Sequence, residues 1–253
     1  RSHLSRLKPL PRSRNPEPVA AARPFQPPTP DIITGVILAG GRASRLGGVD
    51  KGLVAHAGRA LVDWVIAALR PQVRGIIINA NRNQDRYQAR GWPVIADRLD
   101  GFQGPLAGIA SALAAVDTPW IVTLPCDGPA PPADLVERLC RAVTDPLLLI
   151  DDGPDGSGPP GFGRPAADNT AMRPAEMAVA GDGRRLQPVH ALIPRALAPD
   201  LDAFLAGGGR RVDRWYARHR TAVADFSDQR DAFANINTAE DAARAARAQA
   251  LRP

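Results

Sequence analysis

The sequence contains little cysteine and no long apolar segment. Its two cysteines, Cys126 and Cys140, are too few for a disulfide framework or a cysteine-based zinc site. No run of residues approaches the ~18 consecutive apolar residues of a membrane span. No charged-then-apolar secretory signal opens the chain. We therefore expect a protein of the reducing cytoplasm, with no membrane among its partners.

The net positive charge is small outside one end of the chain. The formal net charge of the 253 residues is +6, and residues 1–34 account for +4 of it. A nucleic-acid-binding domain typically carries its basic residues, interleaved with aromatics, on the folded part, whereas these residues hold eight prolines and no glycine. We therefore do not expect a nucleic acid as a partner. We predict a disordered extension over residues 1–31, with a misassigned chain start as the alternative, and one domain over 32–253.

Short apolar segments alternate with helical segments over the first half of this domain. The predicted strands are residues 33–38, 75–78, 93–95, 120–124 and 147–150, and the main helices between them cover 60–70, 108–116 and 134–143. Because the strands are continuously apolar, both of their faces should be buried, and the alternating order favours parallel pairing. The pattern predicts an α/β fold, a doubly wound three-layer sandwich with a mostly parallel, Rossmann-like sheet.

A long segment rich in glycine and proline follows the fifth strand. Residues 151–188 hold six prolines and seven glycines, and loops of this length are either functional or disordered. We predict a loop here, as an insertion in the domain at about residues 151–186. Regular structure is expected to return with a strand over 189–193, a helix over 195–205, a helix after Gly209, a strand over 221–226 and a last helix from Thr238.

Four of the predicted strands are followed by polar or glycine-rich residues. These residues are Gly40-Gly41, Asn79, Asp97 and Asp127. In a doubly wound sheet, ligands bind beyond the carboxyl ends of the strands. The four strand ends therefore predict a ligand site at one edge of the sheet.

The first of these strand ends opens a glycine-rich loop that carries two cations. Residues 38–52 read LAGGRASRLGGVDKG. Glycines let the backbone approach a ligand closely and turn its N–H groups towards phosphate oxygens. Arg45 and Lys51 on this frame suit a ligand as negative as a triphosphate. Taken alone, the segment would be better explained as a flexible loop with solvated cations.

This loop resembles the signature loop of the molybdenum cofactor guanylyltransferases, a branch of the Rossmann-like nucleotidyltransferases. The resemblance covers about residues 33–150 and 187–247. Its further motifs are Asn79-Ala80-Asn81-Arg82, Val94-Ile95-Ala96-Asp97, Gly104-Pro105-Leu106-Ala107-Gly108, Pro125-Cys126-Asp127, Gly209-Arg210-Arg211-Val212 and Asn235-Ile236-Asn237-Thr238. The LAGG and DKG elements indicate only a nucleotidyltransferase, whereas GGVDK, NANR and NINT narrow the match to the guanylyl branch.

The resemblance implies an enzyme that joins the GMP part of GTP to the terminal phosphate of molybdopterin and releases pyrophosphate. The nucleophile would be an ionised phosphate oxygen, so no general base is required, and the four histidines of the chain form no visible catalytic constellation. Catalysis would instead depend on positioning and on neutralising charge. Arg45 and Lys51 are expected in that catalytic role. Asp127 is expected to act with them and to bind Mg²⁺, which takes one or two carboxylates plus substrate phosphates.

The resemblance also implies a set of nucleotide-binding residues. They are Leu38, Ala39, Gly40, Lys51, Asn79, Asp97, Gly104 and Asp127. The first three would act through their backbone, while an amide and a carboxylate would contact guanine edges or ribose hydroxyls. Which contact belongs to which residue stays open.

Several of these residues also have a purely structural interpretation. Asn79 is alternatively a turn cap, and Asp127 a cap before Pro129. Residues 104–108 are alternatively a tight loop needed for packing. Cys126 is expected to be a small buried residue and not a nucleophile, because no base is apparent beside it.

The pterin side of the site is implied at Arg211, Asn235 and Asn237, with Arg210 next to them. A solvated helix start explains the two arginines equally well, and turn chemistry explains the asparagines almost as well. The substrates would be GTP and molybdopterin. Proteins that deliver or accept the cofactor are further expected partners.

Besides nucleic-acid binding through residues 1–31, two other classes of function remain alternatives. One is a related nucleotidyltransferase that uses CTP or a sugar phosphate. The other is a non-catalytic nucleotide-binding adaptor in cofactor assembly. The presence of Arg45, Lys51 and Asp127 together argues against an adaptor, because a binding module does not need a metal carboxylate.

Overall fold

The computed structural model describes most of the predicted domain. It covers residues 27–41, 50–101, 103–128, 130–146, 148–151, 161–165 and 174–235. Most of the predicted extension over 1–31 and the helix predicted from Thr238 lie outside these residues, as does Arg45. The extension and the domain boundaries stay predictions.

Strands and helices alternate through the first half of the described chain. The strands are β1 (Ile33–Leu38), β2 (Ala55–His56), β3 (Arg59–Ala60), β4 (Gly75–Asn79), β5 (Val94–Ile95), β6 (Trp120–Pro125), β7 (Leu148–Asp151), β8 (Gly161–Pro165), β9 (Met177–Gly181), β10 (Leu186–Pro194) and β11 (Thr221–Asp225). The helices are α1 (Leu61–Leu69), α2 (Gln84–Gln88), α3 (Pro105–Ala115), α4 (Leu135–Thr144), α5 (Ala198–Ala206) and α6 (Val212–Tyr216). None of these helices is long and apolar enough to cross a membrane.

Nine of the described strands form one sheet in the order β5-β4-β1-β6-β10-β9-β11-β7-β8. β5, β4, β1 and β6 are mutually parallel. β10 is antiparallel to β6 and to β9, β11 is parallel to β9, and β7 is antiparallel to β11 and β8. Seven of these nine strands therefore run in the same direction, and the predicted α/β fold with a mostly parallel sheet is confirmed.

Apolar side chains fill both faces of this sheet. Alternate residues of β1 contribute to two separate clusters, with Ile33 and Ile37 on one face and Val36 on the other. Helices α1 and α4 pack on the first face, whereas α3, α5 and α6 pack on the second. The three layers arise because a strand buried on both sides needs helices above and below.

The fifth predicted strand, over residues 147–150, corresponds to β7, and its predicted pairing is wrong. β7 was expected to continue the parallel sheet, but it pairs antiparallel with β11 and β8. Strands β10, β9 and β11, which come later in the chain, lie between β6 and β7. The local βα order cannot reveal this insertion, because it depends on pairing between distant segments.

The loop predicted over residues 151–188 is also wrong in part. β9 is a strand of five buried residues inside the sheet, β8 occupies Gly161–Pro165, and β10 begins at Leu186, before the predicted start. The sequence of β9 is MAVAG, and alanine and glycine are depleted in strands, so composition hid the strand. The insertion at about 151–186 stays a prediction, since residues 152–160 and 166–173 lie outside the described chain.

Candidate functional site

The carboxyl ends of the parallel strands meet at one edge of the sheet. Leu38, the last residue of β1, is in register with Asn79 of β4 and Pro125 of β6. Beside these ends lies a cavity of about 340 Å³. Its lining includes the predicted residues Leu38, Gly40, Asn79, Asp97 and Gly104, together with Gly41, Pro105, Gly108, Pro125 and Val189.

Ala39 is placed differently from its neighbours in the chain. Its side chain packs in the core, and its N–H donates to the carbonyl oxygen of Asn79 at 2.8 Å. The N–H group of Ala39 is therefore used within the sheet and is not available to a ligand.

One end of the site is a cluster of two amides and a carboxylate. Asn79 Nδ2 donates to Asp97 Oδ1 at 3.0 Å, and Asn81 Nδ2 donates to Asp97 Oδ2 at 2.7 Å. The N–H of Asp97 donates in return to Asn81 Oδ1 at 2.8 Å. Because both oxygens of Asp97 are held, its carboxylate has a defined orientation beside the cavity.

Helix α3 begins against this cluster. A Cβ atom on Gly108 would lie 2.4 Å from Asn79 Oδ1 and 3.0 Å from a methyl carbon of Leu38. Only glycine permits this approach, so the first turn of α3 comes directly against the strand ends. The helix begins at Pro105 and not at Gly108 as predicted, because proline is well tolerated in a first helical turn.

The other end of the site carries opposite charges. Lys51 Nζ lies 3.3 Å from Asp127 Oδ2, and the two side chains are 31% and 14% exposed. Lys51 opens the short 3₁₀ turn Lys51–Leu53, and Asp127 follows β6 by two residues. The fold thus brings a cation and a carboxylate, 76 residues apart in the chain, to the same edge as the cavity.

Comparison with known proteins decides the family. The model of the MobA-like NTP transferase domain matches residues 35–222. The chain belongs to this family. A molybdenum cofactor guanylyltransferase of Shewanella loihica is 44% identical over 208 residues, which are 82% of this chain and 92% of that protein. A protein of the same name from Shewanella sp. strain MR-4 is 43% identical over 214 residues, 85% of this chain and 95% of that protein.

A solved structure agrees with the fold of this MobA-like domain. The molybdopterin-guanine dinucleotide biosynthesis protein A from Archaeoglobus fulgidus superposes with a TM-score of 0.60 at 19% identity. The match covers 87% of this chain and 100% of that one. The family expected from the sequence motifs is therefore confirmed, as is the nucleotidyltransferase fold.

Cys126 and His190 lie near the site of this MobA-like domain as buried, uncharged groups. Burial, assisted by the carboxylates of Asp127 and Asp50, raises the pKa of the Cys126 thiol far above its usual range. Burial lowers the pKa of His190 to about 3, and its ring packs edge-on against Phe233 at 4.9 Å between centroids. A protonated thiol is a poor nucleophile, and Cys126 is a small buried residue, as predicted.

The predicted pterin residues are only partly brought together. Arg210 Nε donates to Gln103 Oε1 at 2.7 Å, on the loop that leads to Gly104. Arg211 pairs with Asp213 at the start of α6, and this hydrogen bond lowers the pKa of Asp213. A Cβ atom on Gly128 would lie 3.6 Å from Asn235 Oδ1, so Asn235 is next to the Asp127 end of the site. Asn237 lies outside the described residues.

Two features of this edge were not predicted from the sequence. Asn81 holds Asp97, and its position two residues after Asn79 at the end of a strand is the signal that could have revealed it. Val189 of β10 lines the cavity from an antiparallel strand. No local pattern marks Val189, because its place depends on the pairing of β10 with β6.

Proposed function

We propose that the protein transfers the GMP moiety of GTP to molybdenum-bound molybdopterin and releases pyrophosphate. The observation that carries the proposal is the edge of β1, β4 and β6, where a cavity lined in part by Asn79 and Asp97 lies at the same end of the strands as the pair of Lys51 and Asp127. The sequence similarity to proteins named molybdenum cofactor guanylyltransferases supplies the choice of substrate.

The amide and carboxylate cluster is the nucleoside end of the site. A carboxylate has about four acceptor positions, and two of those on Asp97 are used by Asn79 and Asn81. Asp97 therefore retains the capacity to accept hydrogen bonds from guanine N–H groups or from ribose hydroxyls. The orientation of Asp97 is set before the nucleotide binds, which reduces the ordering cost of binding.

The charged end receives the triphosphate. Lys51 and Arg45 neutralise the charge of the α-phosphate and the departing pyrophosphate, while the backbone around Leu38 and Gly40 lines the path between the two ends. In the reaction, a terminal phosphate oxygen of the pterin forms a bond to the α-phosphorus as the bond to pyrophosphate breaks. The attacking oxygen is already ionised, so these residues orient and stabilise charge without moving a proton.

Asp127 is suited to bind Mg²⁺ together with the substrate. Among the described residues, no group of three or more His, Cys, Asp or Glu side chains is arranged to hold a metal ion. Mg²⁺ usually takes one or two carboxylates and completes its shell with substrate phosphates and water. Asp127, whose side chain is 14% exposed and paired with Lys51, would therefore serve as the single protein carboxylate of an ion that arrives with GTP. When bound, the ion would neutralise part of the charge on the phosphates.

The pterin is assigned to the side of the site where Asn235 approaches Gly128. Asn235 would supply an amide group there. Asn237, which lies outside the described residues, and Arg211, which pairs with Asp213 at the start of α6, are proposed as pterin residues from the sequence resemblance alone. Proteins that deliver or accept the cofactor in the cytoplasm are proposed as further partners.

Release of pyrophosphate from GTP in the presence of molybdopterin is the direct test. The same assay with CTP, ATP and UTP, together with thermal-shift titration of each nucleotide, measures base preference. We expect turnover and stabilisation with GTP. A clear preference for CTP would assign the protein to a cytidylyltransferase, and binding without turnover would assign it to a non-catalytic adaptor.

A further inference from the structure

A buried carboxylate directly precedes the lysine of the site. Asp50 is 9% exposed and makes two hydrogen bonds from neutral donors. Tyr87 Oη donates to Asp50 Oδ1 at 2.6 Å, and Asn83 Nδ2 donates to Asp50 Oδ2 at 3.0 Å. Burying a carboxylate is costly unless its oxygens are hydrogen-bonded, so these two donors determine where Asp50 lies.

Both donors belong to helix α2 and the residue before it. Tyr87 is completely buried in the core, and burial keeps the pKa of its hydroxyl above the usual range, so the group remains a donor. Asn83 has a φ of 49° and precedes the helix at the N-cap position. Asparagine normally caps a helix with its side chain, yet this side chain makes no cap hydrogen bond and donates to Asp50 instead.

Three consecutive residues of the loop contact either the start of α2 or the end of β6. Asp50 accepts hydrogen bonds from Asn83 and Tyr87, and Lys51 pairs with Asp127. A Cβ atom on Gly52 would lie 2.5 Å from Tyr87 Oη and 3.1 Å from Cys126 Sγ. The backbone at this point is therefore pressed into the space between α2 and the end of β6, which directs Lys51 at Asp127.

The segment from Asn79 to Asn83 connects the two ends of the site. Asn79 and Asn81 hold the carboxylate of Asp97, and Asn83, two residues further on, holds that of Asp50. Five residues of chain thus join the nucleoside end to the lysine. A displacement at Asp50 would change the distance between the two ends without altering the residues of either.

We propose that Asp50, Asn83 and Tyr87 form a positioning network that holds Lys51 against Asp127. None of the three is among the described residues that line the cavity. The network therefore acts on the position of the lysine and governs the transfer step more than the affinity for the nucleoside. The kinetic part of this inference rests on the proposed function, whereas the position of Lys51 does not.

Selective labelling of lysine tests the network without any activity measurement. Lys51 and Lys8 are the two lysines of the sequence, so Lys8 serves as the internal reference when the protein is acetylated and analysed by mass spectrometry. In Tyr87→Phe, which removes the hydroxyl and keeps the ring, we expect more labelling of Lys51 relative to Lys8. Release of the Lys51 side chain, which is 31% exposed in the paired state, should raise the Lys51 to Lys8 ratio above the wild-type value.

A matched control removes a buried hydroxyl at the opposite edge of the sheet. Thr34 Oγ1 is hydrogen-bonded to Thr118 Oγ1 at 2.8 Å, near the amino end of β1. Thr34→Val should leave the Lys51 to Lys8 ratio at the wild-type value. An unchanged ratio in Tyr87→Phe, or an equal rise in both variants, would overturn the proposal.

The kinetic test separates positioning from general loss of structure. A displacement of about 1 Å can cost about 10²-fold in rate, so kcat of Tyr87→Phe should fall by about 10- to 100-fold while KM for GTP changes by less than about threefold. Thr34→Val should retain wild-type kcat. A rise in KM with unchanged kcat would contradict the network. If the wild-type protein itself shows no transfer, the proposed function fails, and the labelling ratio still decides the position of Lys51.

A second variant covers the case in which Tyr87→Phe does not fold. Asn83→Gly preserves the left-handed backbone, which glycine adopts readily, and removes only the amide donor. We expect increased labelling of Lys51 and a lower kcat, both smaller than in Tyr87→Phe. Wild-type labelling in a folded Asn83→Gly protein would show that Asp50 does not depend on this donor and would refute the network as stated.

Discussion

The two halves of the sheet use their polar residues differently. In the parallel half, β5-β4-β1-β6, polar side chains collect at the carboxyl edge, where Asn79, Asp97, Lys51 and Asp127 lie around or beside one cavity. In the other half, Arg138 of α4 ties α4 to the turn after β11 through Asp228, and it also pairs with Asp134 at the start of its own helix. Parallel strands all end at the same edge, so their end residues can share a ligand, whereas ion pairs between surface elements serve the fold.

Removing a carboxylate should abolish catalysis in the parallel half of the sheet and leave it intact in the other half. This is the largest difference that we expect. Asp127→Asn keeps the shape of the side chain and removes its charge beside Lys51. Loss of a group that stabilises phosphoryl charge costs about 10³-fold or more, so pyrophosphate release should become nearly undetectable. Asp228→Asn in the other half should retain wild-type activity. Near-normal turnover in Asp127→Asn would show that the carboxylate has no part in the reaction.

The next largest effect should fall on nucleotide affinity. Asp97→Asn replaces an acceptor held by Asn79 and Asn81 with an amide that cannot accept at both positions. Hydrogen bonds to charged groups are worth about 1.5–3 kcal/mol, which corresponds to roughly 10- to 150-fold weaker binding of GTP. Isothermal titration calorimetry measures it. Unaltered affinity would place the nucleoside elsewhere.

A smaller effect is expected where α3 meets the strand ends. Gly108→Ala would place a methyl group 2.4 Å from Asn79 Oδ1, so either the helix or Asn79 must move. Overpacking typically costs about 1–3 kcal/mol, and we expect a lower free energy of unfolding together with weaker GTP binding. Urea unfolding and calorimetry should both detect it. A stability loss without a loss of affinity would mean that Asn79 does not contact the nucleotide.

The smallest effect should come from the exposed ion pair of the other half. The hydrogen bonds of Arg138 lower the pKa of Asp228 below its ordinary value. This contribution to stability is therefore present above the unfolded-state pKa and is lost as pH falls through the folded-state pKa. Asp228→Asn should lower Tm slightly at neutral pH, and the difference from wild type should shrink on acidification towards pH 3. A difference that grows on acidification would contradict this assignment.

The predictions from sequence were most successful where local pattern and structure coincide. The continuous apolar runs of β1, β4 and β6 and the polar residues after them are local features, so both the strands and the edge could be recognised. The MAVAG sequence of β9 carries no such signal, because small residues become a strand only through burial between β10 and β11. The antiparallel pairing of β7 was missed for a related reason, since neighbouring strands come from later in the chain.

The residues of the site also differ in whether the sequence pattern reveals them. Asn79, Asp97 and Asp127 were identifiable by their positions at the ends of strands. Asn83 and Tyr87 were not, because nothing in their sequence neighbourhood reveals that both donate to Asp50, over 30 residues earlier in the chain.

The amino-acid sequence alone determined the order of strands and helices in the parallel half, the glycine-rich loop and the polar residues that follow the strands. These depend on short-range periodicity and on backbone preferences, which act within a few residues. Only the tertiary structure decided that β9, β10 and β11 lie between β6 and β7, and that Asp50 is anchored by α2. Those arrangements arise from pairing and burial between distant segments, where the free energy of each contact depends on the whole packed core.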